Sequence, residues 1–298
     1  MNTLAGTGAL IRLALRRDRI VLPLWVSLLA AAPIGYAAST PQLYPTPQLL
    51  QSFADQMAAN PAIRALVGPV FAPTIGGLAA WRWGVNAVLL TGVASMLTVI
   101  RHTRTEEQAG RRELVSSTAV GRHAALSAAL AVTVGADLMV GALVTCGLIG
   151  LGLPVAGSVA LGLIMAAGGG LFAAAAGAAA QLTPSTRTAK GIVGAVLALS
   201  YLVRAVGDGS GRHELSWLSP IGWGQRIQPF VGERWWVLTL FAGTGLAFAA
   251  SAYALSSRRD LGAGLLPPRL GPATASPGLC SPLALSWRLH RGTLLAWT

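Results

Sequence analysis

The sequence predicts an all-α integral membrane protein with six transmembrane helices behind an N-terminal interfacial helix, and three observations carry that prediction. Hydrophobic residues make up 53% of the 298, and mean hydropathy is +0.60. Charged residues make up 11%, against about 25% in soluble domains, too few to cover a soluble surface. The apolar residues fall into blocks close to the ~20 that a bilayer crossing needs.

In chain order, residues 8–19 (GALIRLALRRDR) come first. Leu10, Ile11, Ala14 and Leu15 share one helical face, and Arg12, Arg16 and Arg19 share the opposite one. The stretch reads as a helix in the interface with its arginines toward lipid phosphates, or as the basic flank of the first span. A full-length span follows, so it reads as retained and not as a cleavable signal peptide.

Spans are expected over Ile20–Ala38, Trp83–Ile100, Ala124–Pro154, Ser158–Leu182, Gly191–Val206 and Trp235–Leu255. The fifth is short and contains Arg204, but alternation of the topology requires it. The fourth is dense in small residues (Gly168, Gly169, Gly170, Ala173, Ala174, Gly177) that let neighbours approach closely, so it is expected inside the bundle. Ser39–Arg82 holds six prolines, which limits it to short helical pieces; Asn60-Pro61 reads as the start of one. Gly207–Arg234 carries WLSPIGW, with Trp217, Pro220, Gly222 and Trp223. It reads as a shallow re-entrant hairpin on the outer side or as an interfacial tryptophan anchor.

Orientation follows from the basic residues. With the N-terminus inside, the inner segments hold the arginines from Arg12 to Arg19 and from Arg101 to Arg122, then Arg187, Lys190, and those from Arg258 to Arg291. Most of the 22 Lys and Arg then lie in the cytosol. Both termini are expected inside, in a multi-pass protein of the plasma (inner) membrane. The net charge of +12 therefore marks topology and not nucleic-acid binding.

Catalytic motifs are absent. A P-loop ends in Lys followed by Ser or Thr, and the only lysine, Lys190, lies between Ala189 and Gly191. HExxH and GxSxG are missing, and His102, His123, His213 and His290 match no ligand spacing. Cys146 lies within a span and Cys280 in the tail, so no disulfide or metal pair is expected. The chain reads as a non-enzyme that binds no metal or cofactor of its own.

The connection 101–123, RHTRTEEQAGRRELVSSTAVGRH, mixes Glu106, Glu107 and Glu113 with five arginines, including Arg111 and Arg122. It reads as a charged helix with a turn at Ser116–Gly121, either a plain solvated loop or an element that docks on a cytosolic partner. Asp137 and Arg204 each lie thirteen residues beyond the inner end of their span, about 20 Å deep. A lone charge there costs about 2.5–3.5 kcal/mol, so the two are expected to pair. Alternatively, Arg204 snorkels outward or Asp137 faces a transport pathway.

The run Glu106-Glu107, Gly110-Arg111, Glu113-Leu114 and Val120-Gly121-Arg122, then WLSPIGW and RRDLGAGLLPPRLGP, resembles the type V ABC exporter permeases. More narrowly, it resembles the actinobacterial permeases of polyketide-antibiotic (tetronasin-type) export. Ala119 departs from that pattern, where proline is expected. The resemblance implies that Glu106, Glu107, Arg111, Glu113 and Arg122 couple to a cytosolic ABC ATPase subunit. It also implies that ATP and magnesium sit on that subunit, that the Trp217–Trp223 segment closes the outer side, and that the cargo is hydrophobic.

A repeat adds to this. LALRRDRIVLPLW (13–25) aligns with LSWRLHRGTLLAW (285–297) through Leu13, Arg16, Arg19, Leu22 and Trp25 against Leu285, Arg288, Arg291, Leu294 and Trp297. The expected organisation is a six-span domain over 1–260, a cytosolic linker over 261–284, and the start of a second transmembrane repeat over 285–298. Together these would form half of a twelve-span permease, with membrane lipid and a second six-span half as further partners. The functional reading is a permease subunit of an ATP-driven exporter of hydrophobic compounds. The alternatives are half of an ion-coupled secondary transporter, for which Asp137 is the candidate carboxylate, and a non-transport scaffold.

Overall fold

A computed structural model describes residues 3–108, 120–259, 264–266, 274 and 281–297. All regular structure among them is helical. The chain divides into one unit over residues 1–266 and a second over 267–298. The second contains a single described helix, Pro282–Trp297.

In the first unit the order is α1 (Thr7–Arg17), α2 (Val21–Leu43), α3 (Pro47–Ala59), α4 (Pro61–Val67), α5 (Ile75–Gln108), α6 (Ala124–Gly150), α7 (Val155–Leu182), α8 (Thr186–Ser210), α9 (His213–Trp217), α10 (Pro220–Arg226) and α11 (Trp235–Ser256). Six of these, α2, α5, α6, α7, α8 and α11, are long and apolar enough to cross a membrane. With no water in the bilayer core, the backbone must satisfy its own hydrogen bonds, and a helix does so within one segment.

Helix boundaries depart most from the sequence expectation in α2, α5 and α8, the last running Thr186–Ser210 where Gly191–Val206 was expected. α2 runs on through Pro33 and Pro41 to Leu43. The hydroxyl of Thr40 donates to the Tyr36 carbonyl at 2.7 Å, part of the local bonding around the second proline. α5 begins at Ile75, eight residues before the expected Trp83, because the Thr74 hydroxyl caps it by accepting from Gly77 N–H. It also runs past Ile100 through a wide turn at Arg101–Thr105 to Gln108. The first part of the expected charged connection is thus a continuation of the span. In the outer loop, Asn60 starts α4 by accepting from the N–H groups of Ala62 and Ile63.

α7 is the central helix. In its most apolar stretch 78% is buried, against 17% in α11. Phe172 of α7 lies where a Cβ at Gly92 of α5 would clash, and Gly162 lies against the Gly141 backbone of α6. Close backbone approach of small residues replaces the hydrophobic drive that lipid cannot supply. α1 buries Ala14, with Leu10 and Ile11 half-buried, whereas Leu15 is 46% exposed. Leu15 therefore does not pack inward with Leu10, Ile11 and Ala14, whereas Asp18, three residues on, is buried.

Candidate functional sites at the two ends of the bundle

At the end where α1 lies, an ion network ties four elements together. Arg104 projects from the wide turn of α5, where π-type geometry often marks functional positions. Its Nε donates to the Ala180 carbonyl of α7, and its NH1 to Glu107 Oε2 at 2.6 Å. Glu107 also accepts twice from Arg259, at 2.8 and 3.1 Å. Arg259 Nε donates to Gln181 Oε1 at 2.5 Å, and burial pushes the Arg259 pKa below its usual value. Arg122 donates to the carbonyls of Ser256 and Arg259. The chain beyond α11 then pairs its backbone with α7, Leu265 N–H with Gln181 and Leu266 N–H with Leu182.

A second cluster joins α1 to α5. Asp18 pairs with Arg101 at 2.8 Å and with His102 at 2.7 Å, and Arg17 pairs with Glu106. Of the five coupling residues read from the sequence, Glu106, Glu107 and Arg122 fall here, while Arg111 and Glu113 lie outside the described residues. Glu107 is turned inward, its side chain 3% exposed. The sequence reading misses Asp18, His102, Arg104, Gln181 and Arg259, although Arg259 is the second residue of the RRDLGAGLLPPRLGP run.

In the bundle centre the expected pair of Asp137 and Arg204 does not form. Asp137 on α6 accepts from the Ser95 hydroxyl of α5 at 2.8 Å. It packs so tightly on Gly169 of α7 that a Cβ there would lie 2.2 Å from Oδ1. Arg204 turns instead to Asp208 one turn on, at 3.5 Å, and to the Leu66 carbonyl at 3.0 Å. Its guanidinium also stacks over Tyr201 at 4.6 Å. The two do not meet because α8 begins at Thr186 and not at Gly191, which sets Arg204 about 27 Å along its helix against about 20 Å for Asp137, and because their side chains point at different neighbours. The Arg204–Asp208 spacing of four residues was a legible signal for the pair that does form.

At the opposite end α9 and α10 make a helix–turn–helix. The Ser219 hydroxyl starts α10 by accepting from Gly222 N–H and donates to the Ser200 carbonyl of α8 at 2.6 Å. Pro220 occupies the first turn of α10. Trp223 Nε1 donates to the Trp217 carbonyl, and Trp217 stacks on Trp236 at 5.4 Å. Asp208 collects the Ser216 hydroxyl at 2.7 Å and Arg226 at 3.8 Å. α10 also reaches inward. A Cβ at Gly224 would meet the Gly84 carbonyl at 2.7 Å and Val88 at 2.9 Å. Val88 lies thirteen residues beyond Ile75, about 20 Å along α5. Gln225 donates to the Val67 carbonyl, which ties α10 to α4.

Among the described residues no group of three or more His, Cys, Asp or Glu could hold a metal, and Cys146 is free and exposed.

A six-span helical membrane protein, with an ion network closing one end and a short helical hairpin inserted at the other, is the class this architecture defines. No family model matches the chain. It is 46% identical over 295 residues to the multidrug efflux system permease protein Rv1217c of Mycobacterium tuberculosis (strain ATCC 25618 / H37Rv). The match covers 98% of this chain and 53% of that protein, so the chain spans about half the length of the curated relative it matches.

Proposed function

We propose that the chain is a permease half of an exporter that moves hydrophobic compounds or drugs out of the cell, energised by a separate ABC ATPase subunit that binds ATP and magnesium. The observation that carries this reading is 46% identity, along almost the whole chain, to a multidrug efflux permease about twice as long. Six spans here against about twice the length there support a second six-span half in the working assembly. The 285–297 repeat supports it too.

In this reading the α1 end faces the cytosol of a plasma-membrane protein, in keeping with its arginines. The segment 101–122 holds the ATPase, through Glu106, Arg111, Glu113 and Arg122. The buried Glu107 links that segment to α7 and to the chain after α11. The α9–α10 hairpin, with Trp217, Pro220, Gly222 and Trp223, closes the outer side. A polyketide-type cargo remains the finer proposal.

The test is co-purification of the chain with its partners, followed by reconstitution. Hydrolysis of ATP stimulated by hydrophobic drugs, with drug accumulation on the far side, is the expected result. Drug movement driven by an ion gradient without nucleotide would instead assign the chain to the secondary transporters. Absence of any drug movement in the intact assembly would favour a scaffold.

A further inference from the structure

The outward face of α1 has no role in the network just described. At about 100° per residue, Arg12 and Arg16 lie one turn apart within about 40° of each other on α1, Arg19 follows in the turn after it, and all three are exposed. Leu13, 56% exposed, and Leu15, 46% exposed, flank them. α1 contains no acidic residue, and the nearest one, Asp18, is turned inward. Only residues 18–20 separate α1 from the membrane helix α2, whose exposed Val21 and Leu24 continue the apolar flank beyond Ile20. The cationic face is thereby held at the level where a bilayer's headgroups begin.

The inward face of the same element holds both ends of the 101–122 segment. Asp18 and Arg17 take Arg101, His102 and Glu106. The carbonyls of Thr3 and Ala5 accept from the N–H groups of His123 and Gly121, at 3.0 and 2.9 Å.

We propose that the outward face of α1, with Arg19 beyond it, is a binding surface for anionic phospholipid, and that its occupancy steadies residues 101–108 through Asp18 and Arg17. Guanidinium groups supply charge-assisted hydrogen bonds to phosphate. The exposed leucines beside them match acyl chain, which a soluble acidic protein would not offer. The proposal rests on membrane residence and on α1's contacts, and does not require the exporter reading.

The test uses the full chain in nanodiscs of phosphatidylcholine, with or without phosphatidylglycerol. Native mass spectrometry reads which lipid is retained, and hydrogen exchange reads residues 101–108 and 120–123. Phosphatidylglycerol should be retained at least about tenfold over phosphatidylcholine, and the exposed triple variant Arg12→Gln, Arg16→Gln, Arg19→Gln should lose that preference. The anionic lipid should also slow exchange of the segment in the parent by about tenfold. Asp18→Asn should keep the lipid preference and lose the slowing; Arg17→Gln, at a half-exposed position, gives the same reading if Asp18→Asn does not fold. Equal retention of the two lipids, undiminished retention in the triple variant, or exchange indifferent to lipid overturns the proposal. So does a triple variant that keeps its lipid and loses a protein partner instead, which assigns the face to that partner. Failure of ATP-driven transport would leave these readings intact, so the two proposals fail separately.

Discussion

Glu107 and Arg259 form a two-pronged ion pair at 2.8 and 3.1 Å between residues 152 apart in the chain. Their side chains are 3% and 8% exposed. Through Arg104 and Gln181 the same pair reaches the C-terminal end of the most buried membrane-length helix, α7. A displacement of the 101–108 helix therefore pulls on α7 and on the chain leaving α11 together.

Breaking that pair removes one buried partner from a charge that keeps another, Arg104 for Glu107 or Gln181 for Arg259, so the cost falls at or below the ~3–5 kcal/mol of a fully orphaned buried charge. Glu107→Gln and Arg259→Gln should each lower the unfolding midpoint of the purified protein markedly. The double replacement should recover part of the loss, as coupled neighbours do. Glu107→Arg should fail to accumulate in the membrane, so it cannot serve as a test of docking, whereas Glu106→Arg should insert normally. Western blotting of membrane fractions separates the two.

Asp137 and Gly169 are fitted to each other. Gly169→Ala forces a methyl group into the carboxyl, an overpacking expected to cost about 1–3 kcal/mol. Asp137→Ala removes the obstacle, so Gly169→Ala should be far milder in the Asp137→Ala background. Additive losses in a thermal-unfolding double-mutant cycle would contradict the contact.

Arg204 and Asp137 should be independent. Arg204→Gln strips Asp208 and the Leu66 carbonyl of a buried partner and should destabilise by about 2–5 kcal/mol. The same cycle should give a sizeable coupling energy between Arg204 and Asp208. Between Arg204 and Asp137 it should be zero within about 0.5 kcal/mol.

The insertion of α10 can be read from accessibility. Val88→Cys, placed against Gly224, should resist a membrane-impermeant maleimide applied from the α9–α10 side. Gly224→Val should expel α10 from its seat on the Gly84 carbonyl, and Val88→Cys should then react at least about tenfold faster. Equal rates would show that α10 does not cover this position.

The sequence by itself determined the six membrane-length helices. Apolar blocks of bilayer length admit one backbone solution, because hydrocarbon offers no other partner for the peptide groups. The small residues of α7 placed it inside the bundle for a related reason: in lipid, only close backbone approach distinguishes a helix neighbour from an acyl chain. Depth was legible only where the helix start was: each residue advances about 1.5 Å, which sets Asp137 about 20 Å along α6, but α8 begins at Thr186, five residues before the expected Gly191, and carries Arg204 about 27 Å along its helix.

Their partners were decided only by the tertiary structure. Depth is fixed by counting along a helix, but direction around the helix axis depends on how each helix is rotated against its neighbours. That rotation turned Asp137 to Ser95 and Gly169, and Arg204 to Asp208 and Leu66. The same holds for Glu107, which the sequence presented as a charge in a cytosolic connection. Continuation of α5 to Gln108 carried it under Arg259, because a helix that satisfies its own backbone does not stop merely where its side chains become charged.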